Sequence, residues 1–185
     1  MKVQNFYENL STLHVGTMDN RCWYVPKQDG RESQILLSGG DWKFAWYPSV
    51  EEVPEHFWEK DLEKEGFIDM EVPSCWQFRG YDKPFYVNIR YQFPFKPPVI
   101  PTTEKTGTVF SWLGVDQKVM PRWKKPDDQY NFVGVYRRFI DIDQPKKKYI
   151  ISFMGVASCL DLYMNGTYVG YSEGAHNTAE FDLTP

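Results

Sequence analysis

Apolar and polar residues begin to alternate at Trp42-Lys43-Phe44-Ala45-Trp46, which puts Trp42, Phe44 and Trp46 on one face of an extended segment. A period of two predicts a half-buried strand. The preceding residues, 1–40, keep no such period. They mix aromatics with the turn formers Pro26, Gly30 and Gly39-Gly40, and so predict an irregular N-terminal arm ahead of a domain spanning 41–185. Ser49-Val50-Glu51-Glu52 has the spacing of a capping box, and charges recur at intervals as far as Lys64. That pattern predicts a short helix, with Pro54 early enough to be tolerated in its first turn.

Beyond Phe67 the pattern is strand-like. Met70-Glu71-Val72 ends at Pro73, as an edge segment does. Tyr86–Phe95 is aromatic, and Pro94, Pro97, Pro98 and Pro101 then impose extended backbone. Residues 104–129 combine glycines, prolines, a basic patch (Arg122, Lys124, Lys125) and Asp127-Asp128, and read as a solvated loop inserted into the sheet region. Val133–Ile142 and Tyr149–Met154 are strand-like runs separated by Gln144-Pro145 and three lysines. Leu160, Leu162 and Met164 then alternate with Asp161 and Tyr163, and a second run places Val169 and Tyr171 on one face. Asn165-Gly166 lies between these two runs and predicts a tight hairpin, because both of its turn positions require positive φ. Glu180–Leu183 adds a last short alternating piece. The sum is an all-β chain, a sandwich or jelly roll with at most one or two short helices.

Composition narrows the class. With 7 Trp, 12 Tyr and 13 Phe in 185 residues the chain has ample material for a core. A formal charge of −4 argues against a partner held by phosphate attraction, so nucleic acid is excluded as the expected ligand. No apolar run reaches membrane length, and Met1–Asn5 leads into polar and aromatic residues in place of an apolar signal core. The expectation is a cytoplasmic domain with no membrane partner. Cys22, Cys75 and Cys159 are far apart and odd in number, and His14, His56 and His176 are equally scattered. These positions predict reduced, mostly buried thiols and no metal site.

Catalytic signatures are missing: there is no GxGxxG, GxxxxGK[ST] or GxSxG, and none of the 25 acidic residues is singled out by its setting. No catalytic residue is assigned. Aromatic rings suit the C–H faces of sugars, but the alternation already explains Trp42, Trp46 and Trp76 as core residues. Asparagine offers a donor and an acceptor together, which suits sugar hydroxyls. Asn88, within Phe85-Tyr86-Val87-Asn88, is the candidate substrate-binding residue, with a turn or strand-end role as the plainer reading.

Several blocks in order resemble the N-terminal sugar-binding domain of glycoside hydrolase family 2, specifically the bacterial β-galactosidases. They are Gly40–Trp46; Val72-Pro73-Ser74-Cys75-Trp76-Gln77 leading into Gly80-Tyr81-Asp82; Tyr86–Tyr91; Pro97–Pro101; and Gly134–Arg138. The fullest runs from Gly155–Cys159 through Asn165–Ser172 to Ala179–Leu183. The resemblance implies a jelly-roll, galactose-binding-domain-like β-sandwich packed beside a catalytic barrel of the same polypeptide. It also implies that the barrel holds both catalytic glutamates of a retaining mechanism, with magnesium nearby, beyond position 185. Asn88 falls on the position of an asparagine that contacts galactose.

The resemblance further implies a β-galactoside substrate and a homo-oligomer for the full-length enzyme. Two departures stand out. Some members carry an aspartate that touches the sugar and a sodium ion, where this chain has Gly174 with Glu173 beside it, so sodium is expected only of the full-length enzyme. The chain also stops at Thr184-Pro185 where relatives continue into further strands of the sandwich, and a truncated piece is expected to expose sheet edges. The alternatives are a free-standing carbohydrate-binding module and an assembly domain acting through residues 1–40, both without hydrolase activity.

Overall fold

A computed structural model describes residues 4–23, 27–28, 31–32, 34–59, 66–81, 132–142 and 148–184. Ten strands are present among them, with short 3-10 turns as the only helical elements. All named pairings are antiparallel, and the architecture is an all-β sandwich.

The alternating segment at Trp42–Trp46 is the centre of β4 (Gly39–Tyr47), flanked by β5 (Ile68–Val72) and β6 (Val133–Arg137). Phe44 faces Ile68 on one side and Tyr136 on the other, and is fully buried. β5 lies at the edge of this sheet, as the proline after it predicts. The run expected from Val133 to Ile142 is a strand only as far as Arg137.

A second sheet has the order β1 (His14–Val15), β9 (Thr167–Glu173), β8 (Cys159–Met164). A third pairs β7 (Ile150–Phe153) with β10 (Ala179–Asp182), and β2 (Lys27–Gln28) pairs with β3 (Arg31–Glu32). The arm joins two of these sheets. His14 and Val15 pair with Ser172 and Tyr171, after which Thr17 bridges Phe181 and the Met18 amide donates to the Glu180 carbonyl at 2.9 Å. The Phe181 ring sits against Gly170, where an added Cβ would come within 2.8 Å of it. That close approach holds β10 against β9.

Asn165 (φ 50°) and Gly166 (φ 80°) form the two-residue turn of the β8–β9 hairpin, with Met164 opposite Thr167. The register shifts inside the hairpin. Leu162 pairs with Gly170 but Tyr163 pairs with Tyr168, which leaves Val169 as an extra residue on β9. Simple alternation places Val169 with Tyr171; the bulge instead brings Tyr168 onto the face of Tyr171.

The expected helix after Ser49 is corrected to a single 3-10 turn, Val50–Glu52, followed by hydrogen-bonded turns at Pro54–Phe57 and His56–Glu59. Ser49 makes no side-chain cap; its hydroxyl is buried instead. Pro54 brings no N–H to continue the ladder, so the turn ends at Val53. Residues 60–65, 82–131 and 143–147 lie outside the described residues. With them fall Asn88, the aromatic run 86–95, the insertion 104–129 and most of the lysine turn.

Candidate functional site

Asn88 lies outside the described residues; the described residues that precede and follow its segment in the chain, Tyr81 and Phe132, rest on one face of β4. Tyr81, the last residue before the gap, packs edge-on against Phe44 with centroids 5.0 Å apart. Phe132, the first after it, packs on Trp46 at 5.2 Å. Phe44 and Trp46 are two residues apart on β4 and therefore point the same way. Tyr136 at 4.8 Å and Trp76 at 6.1 Å complete the ring cluster around Phe44. Gly134, opposite Trp46, makes room for it: a Cβ there would lie 2.2 Å from the Trp76 ring.

Residues in and around this sheet also hold buried polar atoms. The indole nitrogens of Trp46 and Trp76 and the hydroxyls of Ser49 and Ser74 find no hydrogen-bond partner among the described residues. Each such group costs about 1–3 kcal/mol relative to a satisfied one. Phe44 is core, as its spacing predicts, whereas Trp42, Trp46 and Trp76 are half-buried around it, and this region carries buried polar atoms that the alternation does not reveal.

A second polar group lies on the hairpin. Cys159 pairs with Glu173, Asp161 with Tyr171 and Tyr163 with Tyr168, so all six share one face. Tyr171 is fully buried and donates to Glu173 Oε2 at 2.6 Å; burial, then that bond, holds its phenol well above the usual range. Tyr168 donates to Asp161 Oδ1 at 3.1 Å. Desolvation pushes the Asp161 carboxyl up to about 6, against the opposing pull of that hydrogen bond. Burial likewise raises Cys159, and raises Tyr163 to about 12. The alternation reads Asp161 as solvent-facing. The one available signal against that is Tyr163, two residues on and on the same face; Tyr168 and Tyr171 come to share that face only through the bulge.

At the hairpin's open end the chain turns through Gly174 at φ +108°, with its amide donating to the Ser158 carbonyl at 3.1 Å. A Cβ here would lie 2.9 Å from Asn177 Nδ2. The position where the family resemblance expects an aspartate therefore has a backbone that only glycine adopts without strain. Glu173, beside it, is engaged by Tyr171. The turn itself thus brings no carboxylate at position 174. All three cysteines are free, and Cys22 and Cys75 are exposed, contrary to the buried thiols expected.

Comparison with known proteins decides the family. The sequence model of the glycosyl hydrolases family 2 sugar binding domain matches residues 36–125 and 123–185. The chain belongs to that family. As a family 2 sugar binding domain it is 31% identical to a β-galactosidase of Actinobacillus pleuropneumoniae over its whole length, and 34% identical to one of Vibrio vulnificus over 85% of it. A β-galactosidase of Staphylococcus xylosus is 28% identical across the whole chain. The chain spans only 13–16% of the length of these relatives. No helix among the described residues of this sugar binding domain is long and apolar enough to cross a membrane.

Proposed function

We propose that this chain is the N-terminal sugar-binding domain of a β-galactosidase, and that it lends Asn88 to the pocket for the terminal galactose. The observation that carries the reading is the family match from residue 36 to residue 185, joined to relatives that are β-galactosidases and several times longer. In this reading the chain supplies no catalytic residue. A retaining pair of glutamates, with magnesium close by, belongs to a barrel elsewhere in the same cytoplasmic, homo-oligomeric polypeptide. Asn88 would donate from its amide nitrogen and accept at its amide oxygen, fixing galactose hydroxyls while the glycosidic bond is attacked.

The test is Asn88→Ala in the full-length polypeptide. Loss of one substrate hydrogen bond is expected to lower kcat/KM for a β-galactoside about ten-fold with the fold intact. Unchanged kinetics would remove Asn88 from the site. A native polypeptide of only this chain's length would replace the hydrolase reading with a free-standing carbohydrate-binding module.

A further inference from the structure

We propose that Asn165 is a site of spontaneous deamidation in this protein, and that the Trp58 indole sets the rate by holding Gly166 in the turn between β8 and β9.

The two groups that must meet are both free. Asn165 is exposed, and among the described residues nothing hydrogen-bonds to its carboxamide. The Gly166 amide lies between the paired positions Met164 and Thr167, outside the strand ladder, and makes no backbone hydrogen bond among the described residues. Asn165 is also the only asparagine in the chain that precedes a glycine. The other described ones, Asn5, Asn9, Asn20 and Asn177, precede Phe6, Leu10, Arg21 and Thr178, whose side chains crowd the amide nitrogen that would have to react. Glycine has no Cβ to hinder it.

The reaction needs only water and hydroxide. The Gly166 nitrogen gives its proton to hydroxide and bonds to Cγ of Asn165. The Cγ–Nδ2 bond breaks, and Nδ2 leaves as ammonia with a proton from water, which restores the hydroxide. Water then adds to either carbonyl of the resulting cyclic imide and the ring C–N bond breaks there. The main chain is left with an ordinary aspartyl link or with an isoaspartyl link through the side chain. The net change is one water consumed and one ammonia released.

The turn opposes this chemistry, and Trp58 is the reason it can do so. Ring closure brings the Gly166 nitrogen over Cγ, so the peptide plane between the two residues must rotate about the Asn165 Cα–C bond. That rotation leaves the conformation fixed by positive φ at both positions, 50° and 80°. The indole stands in its way: a Cβ on Gly166 would lie 2.9 Å from both Cδ1 and Nε1 of Trp58, so the ring rests directly on the glycine. Trp58 is seated in turn by its stack on Tyr163 and by Arg137, which donates to the Trp58 carbonyl at 2.8 Å. Either product adds a negative charge to the turn, and the isoaspartyl link also lengthens its main chain. Conversion at Asn165 therefore loosens the seat of Trp58 on the hairpin.

Peptide mapping by mass spectrometry of the full-length polypeptide, held in mildly alkaline buffer, is the test. Aspartyl and isoaspartyl products are expected at Asn165 before any appear at Asn9, Asn20 or Asn177. If Asn165 converts no faster than those three, the site is overturned. Trp58→Ala should raise the native rate about two- to ten-fold, the factor that one aromatic contact supplies. In urea, where no turn exists, the variant and wild type should convert at the same rate. An unchanged native rate overturns the role of Trp58. Asn177, in the turn that follows β9, is the internal reference and should keep its wild-type rate. A matching rise at Asn177 would mean general loosening of the fold and would also overturn that role. Trp58→Phe keeps a smaller ring in the seat and should give a smaller increase; it carries the test by the same criteria if the alanine variant fails to fold.

Discussion

The indole of Trp58 lies nearly parallel to the ring of Tyr163, with planes 14° apart and centroids 6.0 Å apart. That stack joins the turn after β4 to the β8–β9 hairpin, and Arg137 on β6 fixes the turn from the other side. Its guanidinium donates to the carbonyls of Phe57 and Trp58 at 2.8 Å each, and also to that of Glu59. Three consecutive carbonyls on one planar cation form a clamp that a lysine ammonium cannot copy. A single side chain thus couples the β4 sheet to the hairpin sheet through Trp58.

Arg137→Lys is expected to lose much of that coupling. Hydrogen bonds to a charged donor contribute about 1.5–3 kcal/mol each, and one of the three could be retained. A fall in thermal midpoint of several degrees is the expected outcome, with Arg137→Ala lower still. Equal midpoints for wild type and the lysine variant would show that the clamp contributes little.

Gly134→Ala tests the packing around Phe44 and Trp76. The new methyl would meet the Trp76 ring at 2.2 Å and the Phe44 ring at 2.9 Å, both part of a close-packed aromatic core. Overpacking of this kind costs about 1–3 kcal/mol. Tryptophan fluorescence should shift as Trp76 is displaced. A variant as stable as wild type with an unchanged spectrum would contradict the packing described.

Gly174→Asp restores the residue that the family resemblance expects, and it is expected to fail. The backbone at φ +108° is strained for any side chain, and the Cβ also meets Asn177. A loss of about 1–3 kcal/mol is expected, with thermal midpoints equal in sodium and potassium chloride. A midpoint raised by sodium alone would show that the turn can hold the cation after all.

Acid stability reports on the arm's second attachment. Arg21 grips Glu180 with two hydrogen bonds at 2.7 and 3.1 Å, and Ser152 adds a third at 2.6 Å. Arg21 first, then Ser152, holds the Glu180 carboxyl below its ordinary 4.5. A depressed folded value means stability that is present above 4.5 and lost as pH falls through the depressed value. Glu180→Gln should therefore flatten the decline in thermal midpoint between pH 5 and pH 2.5. An identical decline in the variant would place the acid-labile contact elsewhere.

The strands were legible because burial on one face of a sheet writes a period of two into the chain. Trp42, Phe44 and Trp46 announced β4, and Asn165-Gly166 announced the hairpin because its turn demands positive φ at both positions. The helix after Ser49 misled because a capping-box spacing states only that a helix could start. Whether it continues depends on the next residues, and Pro54 ended it within one turn.

What the sequence determined by itself is which residues extend, where the chain reverses, and which family the ordered blocks belong to. Those are local patterns and their order. What only tertiary structure decided is the cover over each face. Alternation leaves Asp161 on the polar side of β8, yet Phe6 and Trp58, both distant in sequence, cover the tyrosines around it. The bulge at Val169 turns Tyr168 to join them. A period of two records that a strand has two faces. What lies on the second face is set by long-range contacts, and those contacts turn an ordinary surface aspartate into a half-buried carboxyl that desolvation pushes up to about 6.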